Sequence, residues 1–123
     1  VTLTRDELQI LRHSDEAPPL PAQLRVGHAV FQVRSDRDVC AREQTLGSTH
    51  GDSRSIIVDE AMNPDLARQV LLHELLHAVV YVSGYRFDDD DAEERAVAAL
   101  TGPLLSTLRD NPDLAPFLLA SDI

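Results

Sequence analysis

From Leu24 to Val33 the apolar residues Val26, Val30, Phe31 and Val33 alternate loosely with polar ones, which predicts a β-strand. A second β-branched run, Ser55-Ile56-Ile57-Val58-Asp59, predicts another. Downstream the spacing lengthens: Leu66, Val70, Leu71, Leu75, Val79 and Val82 recur at helical intervals and form a broad apolar stripe, as in a central helix running from Pro64 to about Val82. Both ends of that helix are marked. Asn63 can cap it, Pro64 lacks the N–H that would go unpaired in the first turn, Asp65 suits the positive helix end, and Gly84 stops it.

A following helix is expected from about Ala92 to Arg109. Asp91 stands at its N-cap and Glu94 at N3, its apolar stripe is Val97, Leu100, Leu104 and Leu108, and a kink is expected at Gly102-Pro103. Thr4-Arg5-Asp6-Glu7 has the order of a capping box and predicts a short helix over Arg5 to Arg12, separated from the rest by the extended connector Ala17-Pro18-Pro19-Leu20-Pro21. Arg34 to Gln44 reads as a loop and Gly47 to Gly51 as a turn. After Asn111-Pro112 a short terminal helix places Leu114, Phe117 and Leu118 to cover the core. The expected fold is α+β and a single domain over residues 1–123, with an N-terminal helix and connector (1–22), a short twisted sheet, a central helix and a second long helix beside it.

Composition narrows the function. At 123 residues and 43% hydrophobic content there is room for one modest core. The net charge is -10, from 21 acidic against 11 basic residues, and no residue is lysine, so binding to a phosphate backbone is not expected. No apolar stretch reaches twenty residues, and the first twenty lack the order of a secretory signal; a cytoplasmic protein with no membrane contact is expected. The single cysteine, Cys40, cannot form an internal disulfide and reads as a structural thiol.

The chemistry lies in His73-Glu74-Leu75-Leu76-His77. On a helix, residues four apart lie about 40° apart on one face, so both imidazoles can reach one ion, while Glu74 lies beside them and can act as general base on a water. Hydrolytic zinc sites take three protein donors and keep one position open, so a third donor must come from another element. Glu93 and Glu94, sixteen and seventeen residues beyond His77, are the candidates. With the stripe of their helix centred between Val97 and Leu104, Glu93 lies about 25° from its middle and Glu94 about 75°, which favours Glu93. Acids in a first turn also complement the helix dipole, which accounts for one of the two. The Asp88 to Asp91 run lacks the alternating donors and glycine of a calcium loop and reads as a solvated turn. His13, His28 and His50 are scattered; His50, in Ser48-Thr49-His50-Gly51, reaches the cleft only if that segment folds over it.

The HELLH run, the strand Ile56-Ile57-Val58 ahead of its helix, and the acid-led helix ending in Arg109-Asp110-Asn111-Pro112 resemble small zinc-dependent metallopeptidases of the gluzincin clan, nearest to compact ImmA/IrrE-like and phage-type minimal zincins, over roughly residues 47 to 118. In that family a glutamate is followed three residues later by a small or branched apolar residue and then a leucine-rich helix, an order that Glu94, Val97, Leu100, Leu104 and Leu105 fit. The resemblance therefore ranks Glu94 ahead of Glu93, and implies a zincin-like domain with zinc on His73, His77 and Glu94 and with Glu74 as general base cleaving a peptide bond of an intracellular protein. It further implies that Ser55 to Asp59 is the edge strand along which the substrate pairs, and that Tyr81 or, more freely, Tyr85 stabilises the oxyanion. Larger thermolysin-like members carry a histidine-orienting aspartate four residues beyond the glutamate, where this chain has Ala98. The orienting partner is then left to Asp59 or a backbone carbonyl. The competing reading is a non-catalytic zinc-binding module whose acidic surface engages a basic partner protein.

Overall fold

A computed structural model describes residues 19–59 and 62–121; the expected helix over Arg5 to Arg12 and the first part of the proline-rich connector lie outside the described residues. The chain is a small α+β fold, a four-stranded mixed sheet with helices. In order the elements are β1 (Gln23–Val26), β2 (Ala29–Ser35), α1 (Arg37–Glu43), β3 (Gly47–His50), β4 (Ser55–Val58), α2 (Pro64–Ser83), α3 (Asp90–Asp110) and α4 (Leu114–Leu119). Strand order is β1-β2-β4-β3, with β2 and β4 parallel and the two outer pairings antiparallel.

The sequence predicts one strand where there are two. Gly27 takes a φ of +59° that other residues adopt only with strain, so Val26 and Ala29 pair across a two-residue turn and β1 folds back on β2. The loose alternation of this stretch was the trace of that reversal. The segment read as a loop contains α1: Asp36 accepts a hydrogen bond from the Val39 N–H at 3.0 Å, and Cys40, buried on its inner face, supplies the anchor. The segment read as a turn is β3, paired from Gly47↔Val58 to His50↔Ser55, and the turn proper follows at residues 51–54. β4 is therefore flanked on both sides, and the edge strand beside the central helix is β3 rather than Ser55 to Asp59.

Alternation on β4 separates two layers. Ile56 and Val58 join Phe31, Val33, Val26 and Ala29 in the core beneath α2, whereas Ile57 is buried on the opposite face, where α1 packs against β4. α2 begins and ends as its caps predict. Asn63 Oδ1 accepts from the Leu66 N–H at 2.9 Å, a cap worth about 1 kcal/mol, and Gly84 closes the helix in the left-handed region. Ala78 is fully buried, and Val70, Leu71, Leu75 and Val82 pack around the core, while Val79 is exposed.

α3 packs on α2 and runs on through Gly102 and Pro103. Its N-cap is Asp89, two residues before the expected Asp91, with Asp89 Oδ1 accepting from the Ala92 N–H at 2.7 Å. Its buried line is Val97 and Thr101, and Leu100 and Leu104 are exposed. Thr101 is admitted because its hydroxyl donates to the Val97 carbonyl at 2.7 Å and so carries no unmet hydrogen bond inward. α4 does not cover the core: Phe117, Leu118 and Leu119 all face outward. No helix among the described residues is long and apolar enough to cross a membrane.

Candidate metal centre

Helical rotation alone distributes the HELLH side chains. Taking Ala78 as the point of deepest burial, Glu74 lies about 40° to one side, His77 about 100° and His73 about 140° in the same direction. Glu74 therefore stays under the sheet, whereas the two imidazoles emerge toward α3, half-buried. Their rings stand edge to face, 5.0 Å apart between centroids.

The shift of the α3 stripe to Val97 and Thr101 changes how its glutamates are placed. Measured from that line, Glu94 lies about 40° on one side and Glu93 about 60° on the other, reversing the order inferred when Leu104 was assumed to be internal. Glu94 faces both histidines through their Nε2 atoms, with Oε1 at 2.9 Å from His73 and Oε2 at 2.7 Å from His77. Glu93 Oε2 meets the other nitrogen of His77, Nδ1, at 2.6 Å. Glu93 lies in the first turn of α3, where an acid complements the helix dipole as expected of one of the two, while the side-chain cap is made by Asp89. Asp59 is not the partner found at His77 Nδ1; that place is taken by Glu93.

The donor set fits a metal ion. One ligand atom from each of His73, His77 and Glu94 lies within 4.8 Å of the others, and two imidazoles with one carboxylate suit zinc, although the identity of the ion is not fixed by these groups alone. Bonds of about 2.0–2.1 Å in a tetrahedral site place donors about 3.3 Å apart. The carboxylate of Glu94 must then retreat by about half an ångström from its direct contacts with the rings. Its side chain is 56% exposed and free to do so.

Without metal, both ring nitrogens of His77 face carboxylates that can only accept, a pattern that the doubly protonated ring satisfies. Burial is the largest single influence on His77 and opposes the charge, but the hydrogen bonds to Glu93 and Glu94 with the nearby carboxylates outweigh it and leave the pKa raised. Glu74 is 7% exposed. Burial pushes its carboxyl above the ordinary glutamate value, against partial opposition from the Thr49 hydrogen bond and the two histidines.

Thr49 is a residue that sequence reasoning missed. Its hydroxyl lies 2.9 Å from both the Glu74 carbonyl oxygen and Glu74 Oε1, tying the edge strand to this carboxylate. β3 comes this close because Gly47 has no side chain: a Cβ there would stand 2.8 Å from Val70 Cγ1 and 3.1 Å from Glu74 Cγ. The available signal was a glycine-led polar run followed by Gly51-Asp52-Ser53-Arg54 and a β-branched run, the order of a hairpin with a four-residue loop. His50 lies on β3, where its Nε2 meets Ser48 Oγ at 3.1 Å, away from the donor set.

Two clefts open on the donors. One, of about 600 Å³, is bounded by Leu46, Gly47, Val70, Ala98, Thr101 and Gly102 and reaches His73, Glu74, His77 and Glu94. The other carries Tyr81, Tyr85 and Phe87 together with Asp88 to Asp91, of which Asp90 and Asp91 belong to the first turn of α3 rather than to the expected loop, and shares Glu74, His77 and Glu94. Tyr85 is exposed and stacks edge to face with Phe87 at 4.9 Å. Comparison of the chain with protein-family models, with curated protein sequences and with solved structures gave no match.

Proposed function

We propose that the protein is a zinc-dependent endopeptidase. The observation that carries this reading is the position of Glu74, a buried carboxylate lining the same open cleft as the three donors His73, His77 and Glu94. A metal site serving only to hold the fold would use four side-chain donors and would need no such carboxylate, which argues against the non-catalytic module.

Zinc held by His73, His77 and Glu94 would supply a water of pKa near about 7 and polarise the substrate carbonyl. Glu74 accepts a proton from the attacking water and returns it to the leaving amine. Its burial raises its basicity, and Thr49 fixes Oε1, leaving Oε2 for the proton. The outer edge of β3, the last strand of the sheet, offers backbone groups to an extended peptide, and the cleft between Gly47 and Gly102 receives an apolar side chain next to the bond. Tyr85, in the second cleft that shares Glu74, His77 and Glu94, is the donor assigned to the oxyanion. The substrate is thus an extended or unfolded protein segment, and the zincin likeness of the HELLH run agrees with that chemistry. Incubation of the zinc-loaded chain with an unfolded protein should give fragments, and a chelator should stop their release; stoichiometric zinc without chelator-sensitive cleavage would reduce the protein to a binding module.

A further inference from the structure

His77 is gripped at both nitrogens by consecutive residues of one helix. Glu94 faces Nε2, on the side shared with His73, and Glu93 faces Nδ1, on the side turned away from it. Adjacent helical positions point about 100° apart, and the imidazole of His77 stands between them because the buried line of α3 passes between Glu93 and Glu94. Capping of this helix end does not require the Glu93 side chain: Asp89 caps it, and Asp90 and Asp91 also place negative charge in the first turn. Its side chain is 31% exposed against 56% for Glu94, the more enclosed of the two.

We propose that Glu93 is the positioning residue of the metal centre, holding the Nδ1–H of His77 so that the Nε2 lone pair is presented to the ion. The assignment rests on the metal reading above and identifies what orients a donor in a chain that has Ala98 where larger zincins place an aspartate. A carboxylate only accepts, so once Nε2 gives its lone pair to the ion the remaining proton stays on Nδ1, held by Glu93, and the ring is fixed in rotation as well as in tautomer. Water at Nδ1 would impose neither.

Zinc affinity of the full-length chain, measured by competition with a chromophoric chelator, tests this in the wild type, Glu93→Gln and Glu93→Ala. Removing such a partner weakens metal binding about 10–100-fold. Glu93→Ala should approach the upper figure and Glu93→Gln the lower, since an amide can turn either its oxygen or its NH2 to Nδ1 and no longer dictates the tautomer. The nitrogen-15 spectrum of the zinc-loaded wild type should place the proton of His77 on Nδ1. A merely structural ion pair between α2 and α3 would lower the stability of metal-free and zinc-loaded protein alike and leave affinity unchanged. Wild-type affinity in either folded variant overturns the assignment while the metal centre stands; a wild type that binds no zinc overturns both. Glu93→Gln, nearly isosteric, keeps the test in force if Glu93→Ala fails to fold.

Discussion

The two flanks of α2 treat carboxylates in opposite ways. On the flank against β3, Glu74 is buried, held by the Thr49 hydroxyl and pushed toward its neutral form. On the flank against α3, Glu93 and Glu94 remain partly in solvent and bond to half-buried imidazoles. The difference follows from about 60° of helix rotation between Glu74 and His77. Burial makes a proton acceptor, whereas charge pairing near solvent makes a donor set that can open to a cation. One helix produces both because its core stripe ends between Glu74 and His77.

Breaking the solvent-side flank should have the largest effect. Glu94→Gln removes the carboxylate that, among the described residues, faces both Nε2 atoms, and zinc affinity should fall by more than the roughly 100-fold that loss of an outer partner reaches, with cleavage lost in parallel. Chelator competition and fragment release measure this together. Breaking the buried flank should separate the two properties. Thr49→Val keeps the shape of the side chain but leaves the Glu74 carboxylate without its donor, costing about 1–3 kcal/mol of stability in denaturant unfolding. Zinc content should hold while turnover falls by part of the roughly 10²–10⁴-fold that a general base contributes.

The pKa shifts give the comparison a pH signature. Both Glu74 and His77 are raised in the metal-free fold, so each contributes stability that is fully present below its unfolded value and is lost as pH rises through its folded value. Metal-free protein should therefore lose thermal stability as pH rises from below the ordinary glutamate value of 4.5 through the raised values of Glu74 and His77. Zinc requires the deprotonated donors, so the rise in melting temperature on adding zinc should grow over the same range. In metal-free Glu74→Gln the share of the loss owed to Glu74 should disappear and the total loss should shrink; an unchanged profile would show that burial does not govern this carboxyl. The smallest effect belongs to α4. Phe117→Ser, at a position 78% exposed, should change unfolding free energy by less than about 0.5 kcal/mol.

What the sequence made legible was decided by local chemistry. α2 could be read to its ends because Asn63, Pro64 and Gly84 act on their own helix, and the strand Ile56-Ile57-Val58 because it is buried on both faces. β3 could not, since Gly47-Ser48-Thr49-His50 owes its strand state to pairing with β4 and to a close approach that only Gly47 allows. That error moved the edge of the sheet to the wrong strand and hid Thr49. On α3, hydrophobicity pointed inward at Leu100 and Leu104, but the space beneath them is open, and a self-bonded Thr101 took the buried place. That displacement of the stripe determines which glutamate meets Nε2 and which meets Nδ1. Spacing could nominate both residues; their separate positions depend on how the two helices pack.

The division of labour on α2 is tested most directly by assaying zinc content and cleavage of an unfolded protein in the same preparations of wild type and Glu74→Gln. One zinc per chain in both, with chelator-sensitive fragments from the wild type and none from the variant, is the predicted result. Undiminished cleavage by Glu74→Gln would contradict it.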